Sequence, residues 1–158
     1  AIETFSYPVS RTSRSAAALK AAYHELEIEA EVAPFFKNMP KEIANAHFVM
    51  ARAGASSVTE LAVIGRPSLL IPLPGSLDGD QAANAISMAD AQGAFVVKQQ
   101  DLTGERLGEI LTTAINDPVE MQTMAKAAKK TGIPDAAQRL ADCVECVISG
   151  SEITALDF

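Results

Sequence analysis

Residues 51–62 read Ala51-Arg-Ala-Gly-Ala-Ser-Ser-Val-Thr-Glu60-Leu-Ala62, and beyond them stand Gly65-Arg-Pro67 and Leu69-Leu-Ile-Pro-Leu-Pro74. The stretch spells a strand end, a tight turn of small residues, a helix start with a carboxylate one turn in, and a second buried strand. That arrangement suits a diphosphate and a ribose together. Backbone N–H groups at a helix start can hold phosphate oxygens, and the helix dipole favours negative charge there. The Glu60 carboxylate can accept hydrogen bonds from sugar hydroxyls.

Outward from this turn the chain alternates as a parallel α/β sheet does. Helical pattern covers 13–26, 39–45, 57–64 and 80–92, and short strand pattern covers 29–33, 47–51, 68–73 and 94–97. Pro40 lies near the first turn of its helix, where proline is tolerated. Ser68–Leu73 is the most apolar strand and reads as buried on both faces. From Thr103 onward every periodic segment is helical: 103–116, 118–130 and 135–148. Asp117-Pro118 supplies an N-cap and a first-turn proline. Lys126, Lys129 and Lys130 gather at a helix C-terminus, where the dipole favours cations. Residues 150–158 read as a tail.

Composition narrows the function classes. The 158 residues are 48% hydrophobic and 21% charged, which fits one compact domain. A formal net charge of −7 argues against a broad nucleic-acid surface or attachment to an anionic membrane. No apolar run reaches the roughly 20 residues of a membrane helix, and the first residues form no signal peptide, so the cytoplasm is the expected compartment. Cys143 and Cys146 stand as Cys-x-x-Cys, readable as a redox or metal pair or as two small apolar residues on one helix face. The helical context and the want of further ligands favour the second reading, and no metal site is expected.

Neither a Rossmann glycine fingerprint nor a P-loop occurs. Gly54 stands between Ala53 and Ala55, and side chains this small let a ligand approach the backbone. The plainer reading is a strand-to-helix turn capped by Ser56 or Ser57. The next loop, 74–81, leaves the buried strand at the same sheet end. Asp80, Gln81 and Asn84 there supply donors and acceptors suited to sugar hydroxyls. Helix capping accounts for Asp80, and less well for Gln81 and Asn84.

Together these residues carry a resemblance. The 51–62 stretch, Gly65-Arg-Pro67, Ile71-Pro-Leu-Pro74 and Asp80-Gln-Ala-Ala-Asn84-Ala85 resemble the donor-binding half of the peptidoglycan N-acetylglucosaminyltransferases of glycosyltransferase family 28. Phe35-Phe-Lys-Asn-Met39 upstream, and the run from Leu102 to Asp135-Ala-Ala-Gln-Arg-Leu-Ala-Asp142 downstream, extend it. The resemblance covers residues 16–149, leaving 1–15 as a poorly matching segment. It implies the C-terminal, Rossmann-like half of a GT-B fold, a parallel sheet flanked by helices that ends in an all-helical stretch.

It also implies a chemistry. Family members move GlcNAc from UDP-GlcNAc, with inversion, to an undecaprenyl-pyrophosphoryl-muramyl-pentapeptide at the cytoplasmic face of the inner membrane. By resemblance, Ala55, Ser56 and Ser57 approach the diphosphate and ribose, Glu60 takes the ribose hydroxyls, and Gln81 takes the GlcNAc hydroxyls. Phe36 marks the segment facing the uracil, with backbone groups reading its edge. Val58 and Thr59 complete the motif, while Gly54, Asp80 and Asn84 are secondary candidates. No cofactor or metal is implied beyond the donor itself.

The departures are specific. Asp80 stands where the family usually has histidine or glutamine. The glycine-rich serine loop that opens the donor domain is not found, nor is the acceptor domain that would engage the lipid-linked substrate. The chain therefore reads as part of a longer protein or the product of a truncated gene. No residue qualifies as a catalytic base, since His24 and His47 fall outside the motifs, so the fragment alone is expected not to turn over. Two alternatives share the turn: a related GT-B donor domain using another nucleotide sugar, and a non-catalytic interaction fragment whose open sheet edge drives self-association.

Overall fold

The computed structural model describes residues 5–8, 13–33, 35–76 and 79–150. It comprises two compact units, Ala1–Asn45 and Ala46–Phe158. The tail expected over 150–158 lies outside the described residues except for Gly150, as do Leu77 and Asp78 of the 74–81 loop.

In the first unit, β1 (Phe5–Pro8), α1 (Ser13–Glu25) and β2 (Ala30–Ala33) form a strand–helix–strand unit, and α2 (Met39–Asn45) follows. The strands pair in parallel, Phe5 opposite Ala30 and Pro8 opposite Ala33. Strand β1 is absent from the sequence reading. A four-residue run ending in proline gives little strand signal, and only its pairing with β2 defines it. Val32, Phe36 and Ile43 are the buried apolar side chains described here.

The second unit is built on β4 (Ser68–Leu70), between β3 (Val49–Ala51) and β5 (Ala94–Val96) in a parallel sheet ordered β3-β4-β5. Leu69 pairs with Met50 on one side and Phe95 on the other. All three β4 residues are buried, as expected for a parallel strand covered on both faces. The strand stops at Leu70 rather than at Leu73 as the sequence suggested. Ile71 still donates to Ala51, but Pro72 has no N–H to continue the ladder.

Side chains alternate across a strand, so Leu69 serves one face and Ser68 and Leu70 the other. Leu69 joins Val97 and Ile110, with Phe48, Met50, Ile71, Phe95, Leu102 and Leu107 around them. Leu107 and Ile110 of this cluster lie on α5 (Gly104–Asn116), and Leu102 lies just before it. Elsewhere α3 (Ala55–Ile64) packs on α4 (Asp80–Asp90) and α6 (Pro118–Thr131), and α4 packs on β5. Leu61, Ala62, Ala85, Met88, Met124 and Ala128 are buried there. Each large apolar side chain of this set stabilises by about 1.5–3 kcal/mol through removal from water.

The helix ends follow local chemistry. Thr103 caps α5 through the Arg106 N–H at 3.1 Å, and Asp117 caps α6 through the Glu120 N–H at 2.8 Å. Gly65 ends α3 in the left-handed conformation, φ 78°. At the start of α7 (Ala136–Ser149), Arg139 pairs with Asp135, and that hydrogen bond holds the Asp135 carboxyl below its ordinary value.

The α3–α6 contact needs glycine at 132. A Cβ built there would stand 2.8 Å from the carbonyl carbon and oxygen of Ala62 and from Val63 Cα. Backbone atoms cannot yield as a side chain can. We expect Gly132→Ala to destabilise the chain by about 1–3 kcal/mol. Gly108→Ala, mid-helix with open space around it, should instead stabilise by about 0.5–1 kcal/mol. Thermal or urea unfolding of the two variants beside the parent checks both signs.

Candidate functional site

Because β3, β4 and β5 are parallel, the loops leaving them emerge at one sheet edge, where open α/β sheets bind ligands. The first loop is Arg52-Ala53-Gly54, running into α3. The N-cap of α3 is Gly54, in extended conformation, and no side chain caps the helix. The capping reading of Ser56 and Ser57 is thereby corrected: both lie inside the helix. The Val58 N–H bonds to the Gly54 carbonyl at 3.0 Å. The N–H groups of Ala55, Ser56 and Ser57 precede the first intrahelical donor and remain to be satisfied from outside.

An earlier helix start also moves Glu60. The sequence placed it one turn in, counting from Ser57; from Ala55 it falls in the second turn. Its side chain is half-buried. Val58 and Thr59 face elsewhere. Together with Ala62, Ser87, Met88 and the 131–136 linker they line a mainly apolar groove of about 240 Å³ on the flank of α3. A second, shallow concavity of about 410 Å³ lies beyond β5, against Val96, Val97, Lys98, Asp101 and Arg106. Neither is lined by Ser56, Ser57, Glu60 or Gln81.

The second loop runs from Ile71 to α4. Gln81 Oε1 accepts the Leu73 N–H at 3.0 Å, so its side chain folds back on the loop that precedes it. Its Nε2 group has no protein partner among the described residues and can donate to a hydroxyl. Asp80 Oδ1 accepts the Gln81 N–H at 2.7 Å, which ties that carboxylate to the first turn of its own helix. The N-cap there is Gly79, left-handed at φ 69°. Asn84 Nδ2 donates to the Ala53 carbonyl at 3.1 Å, joining α4 to the turn that opens α3. Asn84 thus braces the turn with one end of its amide.

Phe36 belongs to the first unit and is 8% exposed, whereas its neighbour Phe35 is 77% exposed. A ring buried to that degree is core. His24 and His47 are both exposed. Cys143 and Cys146 are free thiols on α7. Among the described residues no group of three or more His, Cys, Asp or Glu is placed to hold a metal ion, and no helix is long and apolar enough to cross a membrane.

Comparison with known proteins decides the family. The model of the glycosyltransferase family 28 C-terminal domain matches residues 9–140. The chain belongs to glycosyltransferase family 28. It is 53% identical, over 137 residues, to the UDP-N-acetylglucosamine--N-acetylmuramyl-(pentapeptide) pyrophosphoryl-undecaprenol N-acetylglucosamine transferase of Brucella suis, covering 87% of this chain and 36% of that one. The like-named Brucella melitensis protein is 52% identical over the same shares. A crystal structure of Acinetobacter baumannii MurG superposes with a TM-score of 0.81 at 30% identity, covering 90% of this chain and 41% of that chain. The chain therefore spans about a third of the length of the curated relatives it matches, and its fold is that of the GT-B C-terminal domain.

Sequence reading missed two members of this sheet edge. Neither Arg52 nor Gln99 carries a local signal of its role. Arg52 donates to the carbonyls of Ile71 and Pro72 and to Gln99 Oε1. No spacing rule links positions 47 apart, so only the fold could reveal the pair.

The caps give a direct test of the α3 assignment. Ser56→Ala and Ser57→Ala should each change stability by less than about 0.5 kcal/mol, because neither hydroxyl caps α3. Thr103→Ala and Asp117→Ala should each cost about 1 kcal/mol. Denaturant midpoints of the four variants supply the comparison.

Proposed function

We propose that this chain is the donor-binding part of an inverting glycosyltransferase. The complete protein would move GlcNAc from UDP-GlcNAc to an undecaprenyl-pyrophosphoryl-muramyl-pentapeptide during peptidoglycan synthesis. The observation that carries the reading is the open N-terminus of α3, where a glycine cap leaves three successive N–H groups available at the strand ends. Identity of 53% to a relative named for that transfer supports the substrate assignment.

The resemblance suggests a division of labour that the geometry supports. Departure of UDP puts negative charge on its β-phosphate, and pre-oriented N–H donors with an aligned helix dipole stabilise such charge without reorganising. Ala55, Ser56 and Ser57 supply those donors. Glu60 accepts from the ribose hydroxyls, Gln81 donates from Nε2 toward the sugar, and the backbone near Phe36 reads the uracil. Val58 and Thr59 hold the helix in place rather than meet the donor. Asp80, already tied to the Gln81 N–H, keeps its charge turned toward the positive end of α4. Deprotonation of the acceptor hydroxyl needs a base, and the proposal leaves that base, with the lipid-linked acceptor, to parts of the protein beyond this chain. The full enzyme would work at the cytoplasmic face of the membrane.

A two-dimensional NMR titration with UDP-GlcNAc tests this. Shifts should concentrate at Gly54–Glu60, at Gln81 and in the 35–39 segment, while ADP-glucose leaves them unmoved. Glu60→Ala should weaken binding by about tenfold, the loss of a charge-assisted pair of hydroxyl contacts. A dispersed spectrum with no shifts at millimolar UDP-GlcNAc would overturn the donor assignment.

A further inference from the structure

Arg52 lies on the surface, yet its guanidinium reaches chain leaving each strand of the sheet. Nη1 lies 3.3 Å from the Ile71 carbonyl and 3.4 Å from the Pro72 carbonyl, both just past β4. Nη2 donates to Gln99 Oε1, in the short 3-10 turn that follows β5. Arg52 itself follows β3.

These bonds close a circuit with two others already described. From Arg52 the path crosses to Ile71 and Pro72, moves one residue to Leu73, and crosses by its N–H to Gln81. It runs one helical turn to Asn84 and crosses to the Ala53 carbonyl, adjacent to Arg52. Every crossing on that path joins a side chain to a backbone group, while the Arg52–Gln99 bond beside it joins two side chains. Backbone groups have no rotamers, so the circuit fixes the loops rather than the side chains alone. Asn84 holds the Ala53 carbonyl, and in a trans peptide the following N–H, that of Gly54, points the opposite way. The direction of the N-cap amide is therefore set by this circuit.

We propose that Arg52 is a positioning residue, the clamp that holds the loops after β3, β4 and β5 at the spacing the donor half-site requires. The inference rests on the donor-binding reading above. Two physical points support positioning over stability. The guanidinium is exposed, and exposed hydrogen bonds and charges add little to folding. The partners also lie in two directions, two carbonyls on one side and an amide oxygen on the other. The planar guanidinium serves both at once, whereas a lysine ammonium is a single point donor on a flexible stem.

The test uses the full 158-residue chain with Arg52→Lys, Gln99→Ala and the double variant, compared with the parent. Amide shifts and hydrogen exchange are recorded without ligand, followed by UDP-GlcNAc affinity and the melting temperature. In Arg52→Lys, the free protein should show shifted Gly54–Val58 amides and a Leu73 amide exchanging about tenfold faster, with affinity about tenfold weaker. The melting temperature should move by less than about 4 °C. Gln99→Ala should give a smaller effect of the same kind, and adding it to Arg52→Lys should give nothing further, because the two act through one bond.

Unchanged ligand-free amides with weakened affinity would make Arg52 a direct donor contact and overturn the clamp. Unchanged amides with unchanged affinity would overturn it as well. A fall of more than about 10 °C in melting temperature would show a structural role instead. If the parent chain does not bind UDP-GlcNAc while Arg52→Lys still loosens Leu73 and the Gly54 turn, the clamp stands and only the donor reading falls.

Discussion

The burial of β4 on both faces is the constraint on which the second unit depends. Ser68, Leu69 and Leu70 have almost no contact with water, which requires a paired strand on each side and helices on each face. Short helical connections between neighbouring strands make the pairing parallel. Parallel pairing then sends every strand C-terminus to the same edge. The loops that could meet a nucleotide sugar are brought together there by the core, not by attraction among themselves.

At that edge the groups left open at the start of α3 belong to the backbone. A glycine N-cap leaves the first N–H groups of α3 unspoken for by any side chain. α5 and α6 differ: Thr103 and Asp117 each accept from one of the corresponding donors, the Arg106 and Glu120 N–H groups. Side chains around the α3 turn mostly tie loops to one another, Asn84 to Ala53, Gln81 to Leu73 and Arg52 to Ile71 and Pro72. Polar residues here hold backbone groups.

Several features were legible because they are local. Alternation of short apolar runs with helical periodicity identified β2 to β5 and α1 to α7, and Asp117-Pro118 marked the start of α6 by its own capping chemistry. The resemblance carried by residues 51–62 and 80–85 points to the family, and the match over residues 9–140 agrees with it. Other boundaries were misread for identifiable reasons. Serines next to a turn resemble N-caps, so α3 was started at Ser57; small residues at Ala53 and Ala55 let the helix begin after Gly54 instead. Strand β4 was carried to Leu73 by hydrophobicity, although Pro72 cannot donate to the ladder.

By itself the sequence determined the order and type of α1 to α7 and β2 to β5, the buried central strand and the family. Each of these follows from neighbouring residues, through periodicity, capping or a contiguous motif. Only the tertiary structure decided where the side chains are engaged: Phe36 in the core, Val58 and Thr59 on the flank, Gln81 folded onto Leu73, and Arg52 bound to Gln99. It also paired β1 with β2, a strand that little in its own four residues announces. Hydrogen bonds between residues tens of positions apart depend on how the strands register against one another. Register is a property of the packed sheet, and no local stretch of chain contains it.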